Sequence, residues 1–209
     1  MTGFWTLVGP DFSGKSTVLE RLRDDYGWHV ISHGGRDLDA YPLIRTIRDT
    51  WLTEAYPRTG TRYSSELTLA ALHTVVLHLR DELARAADRE RVIVDSYYYK
   101  LLAKCSLLGV RHDETFHYWR SFPQPKGVVY LHADPEVTWE RAGRGSRLNP
   151  FEYAGDRPSR EGFAELQSQL RGALLKEVAE LPLTVVDSAR DQETVLCDVL
   201  EAVGSEEVR

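Results

Sequence analysis

The segment FWTLVGPDFSGKST, residues 4–17, decides the fold. Its first five residues form a largely apolar run that predicts a buried strand, and the residues after the segment continue an amphipathic helix. Between strand and helix stands the pattern GxxxxGK(S/T), in which Gly9, Gly14, Lys15 and Ser16 fill every fixed position. A strand, this loop and then a helix is the arrangement in which the pattern binds phosphate groups.

The residue types of this loop have separate tasks. Glycines allow backbone N–H groups to turn toward phosphates, the lysine reaches the β- and γ-phosphate oxygens, and the serine hydroxyl ligates Mg²⁺. We therefore predict that ATP binds here with Mg²⁺ and that Lys15 is catalytic. The predicted nucleotide contacts in the loop are Gly9, Phe12, Ser13, Gly14, Lys15, Ser16 and Thr17. The alternative is a glycine-rich turn that binds nothing.

Length and charge narrow the class of protein. The chain has 209 residues and a formal net charge of −6, which fits one globular domain over residues 1–209. The acidic balance argues against a nucleic acid or an acidic membrane as partner and favours a small molecule. No run of about eighteen apolar residues occurs, so we expect a cytoplasmic protein. Cys105 and Cys197 lie in apolar, helix-like stretches, which predicts buried thiols in a reducing compartment rather than a disulfide.

Short apolar runs alternate with helical patterns along the chain. The runs predict strands at residues 4–8, 30–32, 92–95, 128–132 and 183–186. Helices are predicted at 15–25, 41–54, 64–89, 136–143, 162–180 and 192–203, the last with Asp191 as its N-cap. Strands joined by crossover helices indicate an α/β fold with a parallel sheet covered on both faces. The continuous apolar character of most runs, including the last, predicts strands buried on both sides.

The strand at residues 92–95 ends in a carboxylate, Asp95. In a parallel sheet the carboxyl ends of the strands face the ligand crevice. Asp95 is therefore predicted to hold Mg²⁺ or its water shell, or to orient and deprotonate an acceptor hydroxyl. The alternative is an aspartate that caps the next helix.

Three arginines spaced by three residues, Arg141, Arg144 and Arg147, end a predicted helix and enter an irregular stretch at 143–158. Phosphoryl transfer spreads charge over the equatorial oxygens, which guanidinium groups on a closing segment can neutralise. We predict that Arg144 and Arg147 are catalytic and belong to a lid at about 141–158. The alternative is a solvated basic helix end, which the helix dipole favours.

Five segments resemble, in order, those of the thymidylate kinase family of P-loop nucleoside and nucleotide kinases. They are GPDFSGKST at 9–17, PLIRTIRD at 42–49, VIVDSYYYK at 92–100, VVYLHADPEVTWERAGRG at 128–145 with RLNPFEY at 147–153, and VVDSARDQETV at 185–195. The resemblance implies a five-stranded parallel sheet of order 2-3-1-4-5 with helices on both faces and an arginine-bearing lid. It also implies an adenine held between Arg141 and the loop 188–190 with Ser188 and Arg190, a homodimer, and a loop carboxylate, Asp11, that faces the acceptor and is predicted to be catalytic.

The acceptor half departs from this family. Members usually place an arginine after the strand aspartate, where this chain has Ser96, and AADR in the long helix, where this chain has AALH ending at His73. Two cations that would grip an acceptor phosphate are thus missing. The acceptor candidates are Asp11, Arg36, His73, Ser96, Tyr97, Tyr98 and Lys100, with Lys104 as a further cation. A packed core histidine and packed tyrosines at a helix start are the alternatives for His73 and the tyrosine pair.

These observations predict a P-loop kinase that transfers the γ-phosphoryl of ATP to a small hydroxylated or phosphorylated metabolite. The acceptor is predicted to be nucleoside- or nucleotide-like but not typical thymidylate. Two alternatives stay open: an ordinary thymidylate or nucleoside monophosphate kinase, and a non-catalytic regulator that binds ATP. A GTPase-like switch is disfavoured because it needs an Asn-Lys-x-Asp segment, and Asn149 is the one asparagine of the chain.

Overall fold

The structure is a computed structural model that describes residues 3–110 and 112–204. Its centre is a parallel sheet of order β2-β3-β1-β4-β5. The strands are β1 Trp5–Val8, β2 His29–Ile31, β3 Val92–Asp95, β4 Gly127–His132 and β5 Leu183–Asp187. This arrangement confirms the predicted α/β fold class and the strand order 2-3-1-4-5.

Helices fill the connections between the strands. They are α1 Lys15–Tyr26, α2 Pro42–Thr50, α3 Ser65–Arg85, α4 Tyr99–Leu107, α5 Asp113–Arg120, α6 Pro135–Arg141, α7 Arg160–Glu177 and α8 Gln192–Ala202. After α2 the chain continues in a π-helical turn, Trp51–Ala55. Asp191 caps α8 as predicted, since its side chain accepts a hydrogen bond from the Thr194 N–H. The apolar pattern did not reveal α4 and α5.

Alternation along the strands divides the core into two apolar layers. On one face Val8, Val94 and Tyr130 pack against α3, α4, α5 and α7. On the other face Leu7 and Ile93 pack against α1 and α8. Burial on both faces explains the continuous apolar runs of the inner strands and leaves their carboxyl ends as the place where polar side chains collect.

The edge strand β5 departs from the prediction of burial on both sides. Leu183 and Val185 are 39% and 57% exposed, whereas Val186 is buried beneath α8. Among the described strands β5 pairs with β4 alone, so one of its edges and part of one face remain uncovered. The prediction was therefore wrong for this strand, because an apolar run does not tell an edge position from a central one.

The two cysteines also differ from each other. Cys105 is buried in α4, and burial raises the pKa of its thiol to about 12. Cys197 is exposed on α8, which corrects the prediction that both thiols are buried. In the part of the chain that the structure describes, no helix has the length and apolar character that crossing a bilayer requires.

One close contact fixes β4 against β1. Gly127 pairs in register with Trp5, and a Cβ atom added to Gly127 would lie 2.2 Å from the indole ring. We expect Gly127→Ala to lower the free energy of unfolding by about 1–3 kcal/mol, because the ring must move out of a packed site. Urea unfolding followed by circular dichroism measures the change.

The matched control is Gly172→Ala in α7. Gly172 is exposed, and no described atom lies within 4 Å of the added Cβ. Since alanine favours helix over glycine, this variant should be unchanged or more stable by up to about 1 kcal/mol. Equal stability of the two variants would contradict the packing of Trp5 over Gly127.

Candidate active site

The phosphate loop adopts backbone conformations that its glycines allow. A Cβ atom at Gly9 would lie 2.6 Å from the Leu131 carbonyl oxygen, and Gly14 has a φ of 92°, in the left-handed region. Gly14 is also the N-cap of α1, and no described side chain caps that helix. The first turn of α1 is thereby left to a ligand, as anion binding at a helix N-terminus requires.

Lys15 folds back over this loop. Its Nζ donates hydrogen bonds to the carbonyl oxygens of Pro10 at 2.7 Å and Gly9 at 3.2 Å, and to the Ser13 Oγ at 3.3 Å. Burial and then repulsion from Lys100 hold the pKa of Lys15 well below its usual range. The ammonium group is therefore positioned inside the loop before any ligand arrives.

A cavity of about 580 Å³ opens above the carboxyl edge of the sheet. One wall is the phosphate loop, and the opposite walls are the turn after β2, the end of β3 and the buried face of α4. The irregular segment that follows α6 contributes Arg147, Asn149, Phe151 and Glu152. Most of the predicted phosphate-loop contacts and part of the predicted acceptor residues therefore line one cavity.

Asp11 is the centre of a buried ion cluster in this cavity. Lys100 Nζ lies 2.9 Å from Oδ1 of Asp11, and Lys104 Nζ lies 2.8 Å from Oδ2. The two lysines are one helical turn apart on the same face of α4. Burial alone would raise the pKa of the Asp11 carboxyl, but Lys100, Lys104 and Lys15 hold it well below its usual range.

Gln167 of α7 completes the cluster, and the sequence analysis did not identify it. Its Oε1 accepts a hydrogen bond from the Asp11 N–H at 2.9 Å, and its Nε2 donates to Oδ2 of Asp11 at 2.9 Å and to the Glu152 carbonyl oxygen at 3.3 Å. A signal did exist, because Gln167 lies within the buried face of α7 beside Leu166 and Leu170. A polar residue in such a position needs partners.

Asp95 is oriented by two hydroxyl groups. Ser32 Oγ donates to Oδ2 at 3.2 Å, and Ser96 Oγ donates to Oδ1 at 2.8 Å. Ser96 and Tyr97 have φ values of 57° and 44°, so the chain turns sharply between β3 and α4. The N-cap position of α4 is Tyr98, and no described side chain caps it, so Asp95 does not have the capping role that was its alternative.

A magnesium site between Ser16 and Asp95 fits the residues present. Both side chains line the cavity. Within residues 3–110 and 112–204 no cluster of three histidine, cysteine or carboxylate side chains could hold a metal ion. One hydroxyl and one carboxylate, those of Ser16 and Asp95, suit an ion that takes its other ligands from phosphate oxygens and water.

The predicted arginines occupy different positions. Arg141 Nη2 donates to the Ser188 carbonyl oxygen at 2.8 Å, so those two residues lie together, whereas Arg190 pairs with Asp198 at the surface. The Arg147 guanidinium lies 5.7 Å from the Phe12 ring centroid and lines the cavity.

Arg144 points elsewhere. Its side chain is 75% exposed and pairs with Glu140 at 3.0 Å, and it is not among the described residues that line the cavity. No helix or strand forms in the described stretch 142–159, which is as irregular as the sequence indicates. Of the two arginines predicted to be catalytic, only Arg147 faces the cavity.

Several predicted acceptor residues lie outside the cavity. His73 Nδ1 accepts a hydrogen bond from Trp119 Nε1 at 2.7 Å, and Tyr97 and Tyr98 are buried in the core. Arg36 lies at the cavity rim and pairs with Asp24. For His73 and the tyrosine pair the structure shows the packed positions that were the alternatives. Asp11, Ser96 and Lys100 do line the cavity.

The far end of the cavity is apolar and aromatic. The Trp51 and Phe151 rings meet edge to face at 4.8 Å, and Lys104 Nζ lies 4.9 Å from the Phe151 ring centroid. Leu72 and Val75 of α3 extend this surface. The sequence analysis did not predict this pocket, whose residues come from the turn after α2, from α3 and from the irregular segment after α6.

The fold is shared with solved kinase structures. One is a deoxyadenosine kinase from M. mycoides with the products dCMP and a flexible dCDP bound, with a TM-score of 0.66 and 13% identity over 96% of this chain and 98% of that one. The same enzyme with bound dATP gives a TM-score of 0.62 and 14% identity over 97% and 100% of the two chains. No protein-family model and no curated protein sequence matches this chain. The likeness establishes the P-loop kinase fold.

His33, a half-buried residue that also lines the cavity, should make the free energy of unfolding depend on pH. Burial lowers the pKa of His33 to about 4, with Arg48, Lys100 and Lys104 acting in the same direction and Asp95 opposing them. The unfolded chain binds this proton near pH 6.5, so between pH 6.5 and 4 it holds more protons than the folded chain. The free energy of unfolding should therefore fall as the pH drops through this window.

We expect His33→Asn to flatten this fall, because the titrating group is removed. Urea unfolding of parent and variant at several pH values between about 7 and 4 measures it. His117→Asn, at an exposed position of α5, is the matched control and should keep the slope of the parent. Parallel curves for parent and His33→Asn would show that His33 is not the group responsible.

Proposed function

We propose that the protein is an ATP-dependent kinase that transfers the γ-phosphoryl group to a hydroxyl of a small nucleoside- or nucleotide-like metabolite other than typical thymidylate. One observation carries this proposal. The phosphate loop, with Lys15 inside it, and the oriented carboxylate of Asp95 face the same cavity of about 580 Å³, whose far end is aromatic. That volume is ample for a nucleotide.

The donor would be held by the phosphate loop and the elements beside it. Lys15 would contact the β- and γ-phosphate oxygens, and Arg141 with the Ser188 loop would flank the adenine. When bound, Mg²⁺ would neutralise charge on the phosphate oxygens. Ser16 would ligate it directly and Asp95 through its water shell, which leaves the Asp95 carboxylate free to accept a proton.

In the transfer step the acceptor hydroxyl oxygen bonds to the γ-phosphorus while the bond from that phosphorus to the β,γ-bridging oxygen breaks. ADP leaves with the bonding electron pair, and the hydroxyl proton passes to the carboxylate of Asp95, which Ser32 and Ser96 orient. Asp11 is unsuited to receive this proton, because lysines occupy both of its oxygens and lower its pKa.

The acceptor end supports a ring-bearing substrate. The Trp51 and Phe151 rings border the cavity with 2% and 4% of their surface exposed, and a flat base would contact those exposed parts, with His33 and Arg48 as polar contacts beside them. Ser96 supplies a hydroxyl to Asp95 where thymidylate kinases usually have a phosphate-binding arginine. The similarity in fold to deoxyadenosine kinases fits a nucleoside-like acceptor. A small-molecule substrate also agrees with the acidic balance of the chain.

The phosphate loop is tested by Lys15→Ala and Lys15→Met. We expect turnover to fall at least roughly a hundredfold, because the lysine stabilises charge on the transferring group, while circular dichroism stays that of the parent. ADP release is measured with nucleosides, nucleoside monophosphates and thymidylate at fixed ATP and Mg²⁺.

Thymidylate should be at least roughly a hundredfold poorer than the best acceptor, since two phosphate-binding cations are missing.

Three other outcomes of this experiment would each indicate a different function. ATP binding without ADP release for every acceptor would indicate the non-catalytic regulator. Thymidylate as the best acceptor would indicate an ordinary thymidylate kinase. Full turnover by the Lys15 variants would remove the phosphate loop from the reaction.

The positions of the two arginines predict a second pair of variants. Arg147→Ala should lower kcat by roughly a hundredfold with little change in KM for ATP, because Arg147 faces the cavity. Arg144→Ala should have a clearly smaller effect, because Arg144 is held by Glu140 at the surface. Steady-state kinetics with the best acceptor measures both. An equal or larger loss for Arg144→Ala would mean that the segment rearranges before transfer.

A further inference from the structure

Two lysines of α4 share one carboxylate but have different surroundings. Lys100 pairs with Oδ1 of Asp11, on the side of Lys15 and Asp95. Lys104 pairs with Oδ2 of the same carboxylate, on the side of Glu152 and the Phe151 ring. The first lysine therefore faces the phosphate loop, and the second faces the segment that follows α6.

Lys15 and Lys100 bring two buried ammonium groups together at the phosphate loop. Both residues are less than one tenth exposed. Both side chains line the same cavity, and Lys100 Nζ lies 2.9 Å from Oδ1 of Asp11, which belongs to the phosphate loop. Like charges held together away from water are unfavourable unless an anion joins them. Asp11 is shared by Lys100 and Lys104. The carboxylate of Asp95, which also acts on Lys15 and Lys100, accepts hydrogen bonds from Ser32 and Ser96 and would serve Mg²⁺. A bound anion would therefore add to the negative charge that stabilises Lys15 and Lys100.

The anion that suits two neighbouring ammonium groups at this loop is a phosphoryl group. Lys15 belongs to the loop that binds the β- and γ-phosphates, and any ligand contacted by both ammonium groups must lie at that loop. A carboxylate or sulfate could satisfy the charge, but the loop conformation and the open first turn of α1 favour a phosphate.

We propose that Lys100 is a second catalytic lysine, which contacts the transferring phosphoryl group beside Lys15, and that Asp11 is the positioning residue that orients it. This inference rests on the proposed kinase function. Charge on the equatorial oxygens grows during transfer, and a cation fixed beforehand stabilises it without reorganisation. Lys100 meets this requirement because α4 is a regular helix and Gln167 fixes Asp11 through two hydrogen bonds.

The composition gives independent support. Only five of the 26 basic residues of the chain are lysines. Two of the five, Lys100 and Lys104, pair with Asp11, and a third, Lys15, lies close enough to lower the pKa of Asp11. Elsewhere arginine carries nearly all of the positive charge. A compact ammonium group can enter a narrow, buried space between a carboxylate and a phosphoryl group more easily than a planar guanidinium can.

The test compares Lys100→Met with Lys104→Met and Lys100→Arg. Both methionine variants remove one ammonium group from Asp11, so they match in size and in the ion pair that is lost. We expect Lys100→Met to lower kcat by roughly a hundred- to a thousandfold with little change in KM for ATP. Lys104→Met should lose at least tenfold less, and Lys100→Arg should recover part of the loss because it keeps a cation. Urea unfolding checks that the methionine variants are equally stable.

A second readout does not depend on turnover. Binding of Mg·ADP is measured by calorimetry with and without fluoroaluminate, a planar mimic of the transferring phosphoryl group. Lys100→Met should bind Mg·ADP like the parent but lose at least a tenfold tightening that fluoroaluminate gives to the parent. Lys104→Met should keep most of that tightening.

The outcomes separate this inference from the proposed function. If the parent releases no ADP with any acceptor, the kinase proposal fails, and the fluoroaluminate measurement still decides the role of Lys100. Equal losses in kcat and in mimic binding for the two methionine variants would overturn the inference, because each lysine would then act only by pairing with Asp11. A loss of ADP affinity confined to Lys100→Met would overturn it too, since Lys100 would then bind the ground state.

Discussion

A buried carboxylate is stable only when cations pair with it, and the cations that pair with Asp11 come from a distant part of the sequence. The carboxylate oxygens of Asp11 form ion pairs with Lys100 and Lys104 of α4, and the backbone N–H of Asp11 donates a hydrogen bond to Gln167 of α7. Loss of both lysines would leave this carboxylate unpaired away from water, which is among the more destabilising changes a protein can undergo. The phosphate loop is therefore fastened to α4 and α7 through a single residue.

This fastening explains how the cavity receives its walls. Because Gln167 also donates to the Glu152 carbonyl oxygen, the irregular segment after α6 is held against the phosphate loop. Phe151 lies next to Glu152 and is in contact with Lys104, so the same cluster places an aromatic ring at the far end of the cavity. The charged half and the aromatic half of the cavity are thus consequences of one set of contacts.

Unfavourable backbone conformations and charged side chains lie together at the carboxyl end of the sheet. Ser96 and Tyr97 adopt left-handed backbone conformations directly after β3, and Phe12 does so within the phosphate loop. Such conformations are unfavourable for residues other than glycine and persist where surrounding contacts fix them. Here the turn after β3 lets Ser96 reach Asp95 and sets the start of α4, which brings Lys100 to the cavity.

The sequence by itself determined the sheet, its strand order through resemblance, the phosphate loop and six of the eight helices described, because strand and helix periods and loop spacing are local properties. It also placed Asp95 at the carboxyl edge and named Lys100 and Lys104 among the cations. Only the tertiary structure decided that Arg147 faces the cavity while Arg144 does not, that His73 packs on Trp119, and that Gln167 and Trp51 belong to the site. Those outcomes depend on contacts between residues distant in sequence, and one sequence carries no measure of which distant residues meet.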